Sequence, residues 1–98
     1  PGAQTSTRAG TTYEEAKRAE FQFRVGMADD RIRQLIGFPD ETAVQTCGQQ
    51  SSNGPWTCLT WTYTWSTIWS VDQLVFFLYE NPEGSNEWFV NSWNWFGY

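Results

Sequence analysis

Beyond residue 40 the chain is rich in threonine, valine and aromatic residues, which are the residue types that favour β-strands. Turn-forming segments divide this part into four runs, at about 42–47, 56–66, 71–80 and 86–96. Two of these segments are GQQSSNGP, with its Asn53-Gly54 pair, and ENPEGSN. Short connections between consecutive strands favour antiparallel pairing, so the sequence predicts an antiparallel meander.

A first helix is predicted shortly before the sheet. Thr12 is followed three residues later by Glu15, which fits a capping box at a helix start. Apolar residues then recur at helical spacing, at Ala16, Ala19 and Phe23. Gly26 is expected to end the segment because glycine adopts a positive φ without steric cost.

A second helix is predicted from about Asp29 to Ile36, within the stretch VGMADDRIRQLIGFP. Two aspartates open it, where the helix dipole favours negative charge. Its apolar stripe is formed by Ile32, Leu35 and Ile36. Gly37 suits the position after a helix end, and Pro39 prevents the helix from resuming. A helix this short is not stable alone, so we expect it to lie on the sheet.

These elements predict a single α+β domain over residues 12–98. The polar residues 1–11 are expected to form a flexible N-terminal tail. No run of apolar residues approaches the 18 or so that a membrane-spanning helix requires.

The strands carry more large apolar side chains than two short helices can cover. The chain has seven Trp, seven Phe and four Tyr. Strict alternation in the last strand puts Trp88 and Val90 on one face and Phe89, Trp93 and Trp95 on the other. We expect a core under the helices at Trp61, Tyr63, Leu74, Phe76 and Leu78. The rings left over predict a partner-binding surface at Trp65, Trp69, Phe77, Tyr79, Trp88, Trp93 and Trp95.

That surface has three possible uses. It could contact a protein partner, join two copies of the chain in a homodimer, or stack sugar rings as a glycan site. Protein interfaces are enriched in Trp and Tyr, which favours the first of the three.

The two cysteines, Cys47 and Cys58, flank the first strand connection. As neighbours across a hairpin they can approach to disulfide distance, and a disulfide indicates an oxidising compartment. Two free thiols remain an alternative. A metal site would need further ligands and the chain has no histidine, while a redox pair would normally show Cys-x-x-Cys spacing.

Charge and composition argue against several functions. All six basic residues lie at or before Arg33, and six acids follow it, so the aromatic part would repel a phosphate backbone. Without histidine, Ser-His and Cys-His nucleophiles are excluded. Glu80, Glu83 and Glu87 lack the spacing of a calcium loop. We therefore expect no catalytic residues, no metal, no cofactor and no nucleic-acid partner.

The stretch FQFRVGMADDRIRQLIGFPDE resembles the signature of the SmpA/OmlA small outer-membrane lipoproteins, the BamE-like family. It is also similar to each repeat of the secreted β-lactamase inhibitor proteins. The matching positions are Phe21 or Phe23, Val25, Gly26, Met27, Ile32, Leu35, Ile36, Gly37 and Pro39. Ala28 departs from the pattern, because Thr or Ser commonly caps the helix there. Downstream, LTWTYTW, LVFFLYENPEG and FVNSWNW look like the family's three long strands.

The resemblance implies two N-terminal helices packed on one face of a curved antiparallel sheet of three to four strands. It also implies a non-enzymatic module of the bacterial cell envelope that binds protein partners and serves outer-membrane assembly or maintenance. In that setting a lipid anchor upstream of Pro1 would be the only membrane attachment. The alternatives are a secreted or periplasmic inhibitor of an enzyme, and a glycan-binding module.

Overall fold

The computed structural model describes residues 10–48 and 54–97. Its elements are, in chain order, α1 (Tyr13–Ala19), a 3₁₀ turn (Glu20–Gln22), α2 (Asp29–Ile36), β1 (Glu41–Cys47), β2 (Trp56–Ser66), β3 (Val71–Glu80) and β4 (Trp88–Gly97). The strands form one antiparallel sheet in the order β1-β2-β3-β4. The α+β class and the antiparallel meander are thus confirmed. Most of the predicted tail, and Asn53 of the predicted turn, lie outside the described residues.

The predicted start of α1 and the predicted end of α2 are confirmed by the backbone. The predicted end of the first helix at Gly26 is wrong, because α1 ends at Ala19 and the 3₁₀ turn after it ends at Gln22. The chain then becomes extended at Phe23, and Gly26 donates its N–H to Val90 of β4. The Thr12 hydroxyl accepts the N–H of Glu15 at 3.1 Å, and the Glu15 carboxylate accepts the N–H of Thr12 at 2.9 Å, which is a complete capping box. Ala28 precedes α2 without a side-chain cap. Gly37 follows α2 at φ 85°, in the region that glycine occupies most easily.

The predicted alternation along β4 is wrong beyond Val90. Leu78 lies opposite Val90, but its neighbour Phe77 lies opposite Ser92, so β4 holds one extra residue, Asn91, in a β-bulge. The extra residue reverses the alternation. Trp93 and Trp95 therefore share a face with Trp88 and Val90, and Phe89 lies on the other face.

Buried residues of both helices and of β2, β3 and β4 belong to one cluster. It consists of Ala16, Phe23, Ile32, Ile36, Trp61, Tyr63, Trp65, Leu74, Phe76, Leu78 and Val90. The five predicted core residues are all among them. The Phe23 ring meets the Phe76 ring edge-on at 5.0 Å, and the Tyr63 hydroxyl donates to the Gly37 carbonyl at 2.7 Å. Contacts such as these link segments far apart in the chain.

The outer edge of β4 is partly paired. Val90 donates its N–H to the Met27 carbonyl at 2.9 Å and accepts the N–H of Gly26 at 2.7 Å. Ala28 forms an isolated bridge with Phe89. The Val-Gly-Met segment therefore covers this edge just before the bulge. Within the described ranges, no helix combines the length and the apolar character needed to cross a bilayer.

Candidate functional site

The register divides the sheet residues between two faces, because directly opposed residues point to the same side. The Tyr63 face carries Leu59, Trp61, Tyr63, Trp65, Leu74, Phe76, Leu78, Trp88, Val90, Trp93 and Trp95. The Phe77 face carries Trp56, Cys58, Thr60, Thr62, Val75, Phe77, Tyr79, Phe89, Ser92 and Asn94. Every residue of the buried cluster that lies in a strand belongs to the Tyr63 face.

Four predicted partner-binding residues lie on the Tyr63 face, which is the face that carries the buried cluster. They are Trp65, Trp88, Trp93 and Trp95. Trp65 is only 3% exposed, because its ring stacks on Trp95 at 6.2 Å and meets Tyr13 edge-on at 5.7 Å. Its indole N–H also donates to the Thr11 carbonyl at 2.9 Å. The prediction that Trp65 belongs to a partner-binding surface is therefore wrong. The other three tryptophans are partly buried and pack against the core.

A single carboxylate holds two of these indoles. Oε2 of Glu20 accepts the indole N–H groups of both Trp93 and Trp95, each at 2.9 Å. The Lys17 ammonium lies 4.3 Å from the centre of the Trp95 ring. Burial raises the pKa of Glu20, but the two indole hydrogen bonds and the Lys17 charge outweigh it, so the pKa lies below its ordinary value. The geometry indicates a structural role for both tryptophans.

Phe77 and Tyr79, also predicted to bind a partner, lie on the Phe77 face and are half-buried. Tyr79 contacts Phe89 of β4, with ring centres 5.9 Å apart. Trp56 lies on the same face at the start of β2. The predicted partner-binding residues did not include Trp56 and Phe89, which also lie on this face. The period-two spacing from Trp56 to Cys58 and Thr60 was the signal that could have found Trp56.

An open groove of about 400 Å³ runs beside these rings. It is lined by Cys47, Gly48, Trp56, Phe77, Asn91 and Ser92. Gly48 has φ 72°, and a β-carbon there would lie 2.5 Å from two atoms of the Trp56 indole. Only glycine allows the backbone to approach the ring so closely. The β-bulge contributes Asn91, which gives the groove a polar wall.

The predicted disulfide between Cys47 and Cys58 is present, with the two Cα atoms 5.8 Å apart. Cys47 lies opposite Trp56, and Cys58 lies opposite Gln45, so the bond joins diagonal neighbours on the Phe77 face. Cys58 is fully buried. The disulfide therefore fixes the β1–β2 hairpin at the end where the groove begins.

A second groove, of about 320 Å³, lies at the β3–β4 turn end of the sheet. It is lined by the residues Pro55, Trp56, Thr57, Tyr79, Glu80 and Glu83. Glu80 is directly opposite Trp88, so its side chain lies on the Tyr63 face, whereas the Tyr79 ring lies on the Phe77 face. Glu80 also accepts the backbone N–H of Asn86 at 2.7 Å, which fixes its carboxylate. Aromatic faces beside carboxylates are suited to a Lys or Arg side chain.

Trp69, the remaining predicted partner-binding residue, lies in the turn between β2 and β3. It is 87% exposed, and its neighbour Ile68 is 86% exposed. The Thr67 hydroxyl accepts the backbone N–H groups of Trp69 and Ser70 at 3.1 and 3.0 Å. Thr67 also donates its own N–H to the Ser70 carbonyl at 2.8 Å. The turn is therefore held by its own hydrogen bonds while it presents two large apolar side chains to solvent.

The residues of the predicted structural motif are spread between core and surface. Ile32 is buried, Leu35 packs partly against the core, and Gly37 terminates α2. Gly26 and Met27 pair with β4 as described above, Val25 is 69% exposed, and Pro39 is half-buried.

In residues 10–48 and 54–97, no group of three or more His, Cys, Asp or Glu side chains is placed to hold a metal ion. Comparison with known proteins found no matching family model, no matching curated protein and no matching solved structure. The geometry of the Phe77 face and of the Ile68–Trp69 turn is therefore the evidence on which a function can be argued.

Proposed function

We propose that this chain is a non-enzymatic binding module of the bacterial cell envelope that contacts a protein partner through the Phe77 face. One observation carries the proposal. Trp56, Phe77, Tyr79 and Phe89 are all half-buried on one face, and no residue of either helix forms a ring contact or hydrogen bond with them among the described residues. Aromatic residues in such positions are typical of interface hot spots.

The proposed architecture is that of the SmpA/OmlA family, with both helices lying on the Tyr63 face of a curved sheet. The contacts of Phe23 with Phe76 and of Gly37 with Tyr63 support it. In this arrangement the helices leave the opposite face free for a partner. The disulfide supports an oxidising compartment, in this proposal the periplasm or the outer membrane's inner surface.

Charge indicates which kind of protein would fit. No Lys or Arg follows Arg33, and Glu80 and Glu83 border the aromatic groove beside Tyr79. A partner with an apolar centre and a basic rim would complement this surface. Its Lys or Arg side chain would lie beside Glu83 and the Trp56 and Tyr79 rings. Binding of this kind should weaken as the salt concentration rises.

The test is differential capture from an envelope extract with three immobilised chains. They are the unchanged protein, a Phe77→Ala/Tyr79→Ala double variant, and Phe21→Ala as the matched control, because Phe21 is 83% exposed outside the sheet. We expect one protein to be retained by the unchanged chain and the control but not by the double variant. After purification of that protein, its dissociation constant should rise at least tenfold, on the order of 1.4 kcal/mol, with the double variant.

Two results would contradict the proposal. One is equal binding by all three chains. The other is loss of binding that follows loss of folding, measured as an equal fall in unfolding free energy. A change in tryptophan fluorescence with oligosaccharides, absent in the double variant, would instead identify a glycan site.

A second candidate function is inhibition of an enzyme by insertion of the Ile68–Trp69 turn into its cleft. The observation that favours it is the exposure of both side chains on a turn held by Thr67. A rigid loop loses little conformational entropy on binding, which favours affinity. Inhibition of β-lactamases or other hydrolases that Trp69→Ala abolishes and Phe77→Ala leaves intact would support this function over the first.

A further inference from the structure

The two edges of the sheet differ in how they are protected. β4 is bulged at Asn91, and its outer edge pairs with the segment around Met27. β1, at the other edge, pairs only with β2 among the described residues, and its seven residues do so without a bulge. Six of its seven residues are exposed, including Val44 at 66%.

The sequence of β1, ETAVQTC, contains only one residue of the kinds that usually protect an edge strand, Glu41 at its first position. It has no Lys, no Arg and no Pro. The outer backbone N–H and C=O groups of β1, which no other strand in residues 10–48 and 54–97 pairs with, can therefore accept another strand. The outer edge of β1 is separated from β3, which carries Phe77, by β2, so pairing at this edge does not depend on the function proposed above.

β1 is complementary to itself when two copies run antiparallel about a two-fold axis at Val44. In that register Val44 meets Val44 of the other copy, Thr42 meets Thr46, and Ala43 meets Gln45. Glu41, the only charged residue of the strand, lies opposite Cys47 and not opposite a second carboxylate. Parallel pairing in register would bring the two Glu41 side chains together, and like charges directly opposed are unfavourable.

We propose that a second copy of this chain pairs with the exposed edge of β1, which makes one continuous eight-stranded sheet. The axis is perpendicular to the sheet, so the Phe77 faces of both copies lie on the same side. A dimer of this kind would present two copies of the aromatic surface to one partner. An interface of seven residue pairs is small compared with the roughly 1,200 Å² of a stable complex, so the dimer is weak.

The test is sedimentation velocity of the full chain at protein concentrations from about 10 μM to 1 mM, a range that detects weak association. We expect a concentration-dependent dimer. Val44→Lys should raise its dissociation constant at least tenfold, because two ammonium groups would meet at the axis. Ile68→Lys is the matched control, since it replaces an exposed apolar residue away from the edge and should leave the dimer unchanged.

Charge pairing gives the decisive measurement. An equimolar mixture of Val44→Lys and Val44→Glu should recover association that neither variant shows alone, because opposite charges then meet at the axis. If Val44→Lys does not fold by circular dichroism, Thr46→Lys tests the same edge from the position opposite Thr42.

Three results would overturn the proposal. These are a monomer across the whole concentration range, a dimer unaffected by Val44→Lys, and a dimer abolished by Phe77→Ala with Val44→Lys unchanged. The last would place self-association on the Phe77 face instead of the β1 edge.

Discussion

Replacing Glu20 by glutamine separates the charge of this side chain from its shape. In the unchanged protein the indole N–H groups of Trp93 and Trp95 each lie 2.9 Å from Oε2 of Glu20. Glu20→Gln keeps an oxygen that can accept both hydrogen bonds but removes the negative charge. Hydrogen bonds to a charged group contribute about 1.5–3 kcal/mol and neutral ones about 0.5–1.5 kcal/mol. Replacement of the charged acceptor by a neutral one therefore weakens the two hydrogen bonds by roughly 2 kcal/mol in total. Because Glu20 is partly open to water, which screens its charge, the expected loss of stability is about half of that value.

We expect the free energy of unfolding of Glu20→Gln to be about 1 kcal/mol lower than that of the unchanged protein at pH 7. The dependence on pH has a definite sign. The pKa of Glu20 is lowered on folding, so its charge stabilises the protein above the ordinary glutamate pKa of about 4.3. That contribution is lost as the pH falls through the pKa of the folded state. The difference between the two proteins should therefore shrink as the pH falls below the ordinary glutamate pKa.

The assay is urea denaturation followed by tryptophan fluorescence at about pH 7 and pH 3. Glu14→Gln is the matched control, because Glu14 lies in α1, which directly precedes the turn that holds Glu20, and is exposed. It should change the unfolding free energy little at either pH. The reasoning would be refuted if Glu20→Gln were as stable as the unchanged protein at pH 7, or if its deficit were the same at both pH values.

Two further predictions concern the core and the disulfide. Phe23→Ala should lower the unfolding free energy by about 3–5 kcal/mol, because Phe23 is 2% exposed and its ring contacts Phe76 and Trp93. Calorimetry should show little change for Phe21→Ala, and similar losses for both would mean that Phe23 is not a core residue in solution. Reduction of the bond between Cys47 and Cys58, which are 11 residues apart, should cost about 3 kcal/mol. A chain of this size would then melt roughly 12–24 °C lower; an unchanged melt together with two titratable free thiols would contradict this.

Local features of the sequence were sufficient to predict the elements and their order. The Thr12–Glu15 capping box, Gly37 after α2 and the four strand runs each depend on residues close together in the chain, so short-range rules apply to them. The pairing of Cys47 with Cys58 follows from the same cause, since both flank one hairpin.

The position of the tryptophans depended on the tertiary structure. One extra residue, Asn91, turns Trp93 and Trp95 to the Tyr63 face, and no pattern within β4 indicates a bulge. Their hydrogen bonds reach Glu20 across 73 and 75 residues of chain. Trp65 is buried because Tyr13, distant in sequence, contacts its ring. Strand periodicity describes neighbours along the chain, whereas burial depends on which distant side chains cover a ring, and only the folded chain determines that.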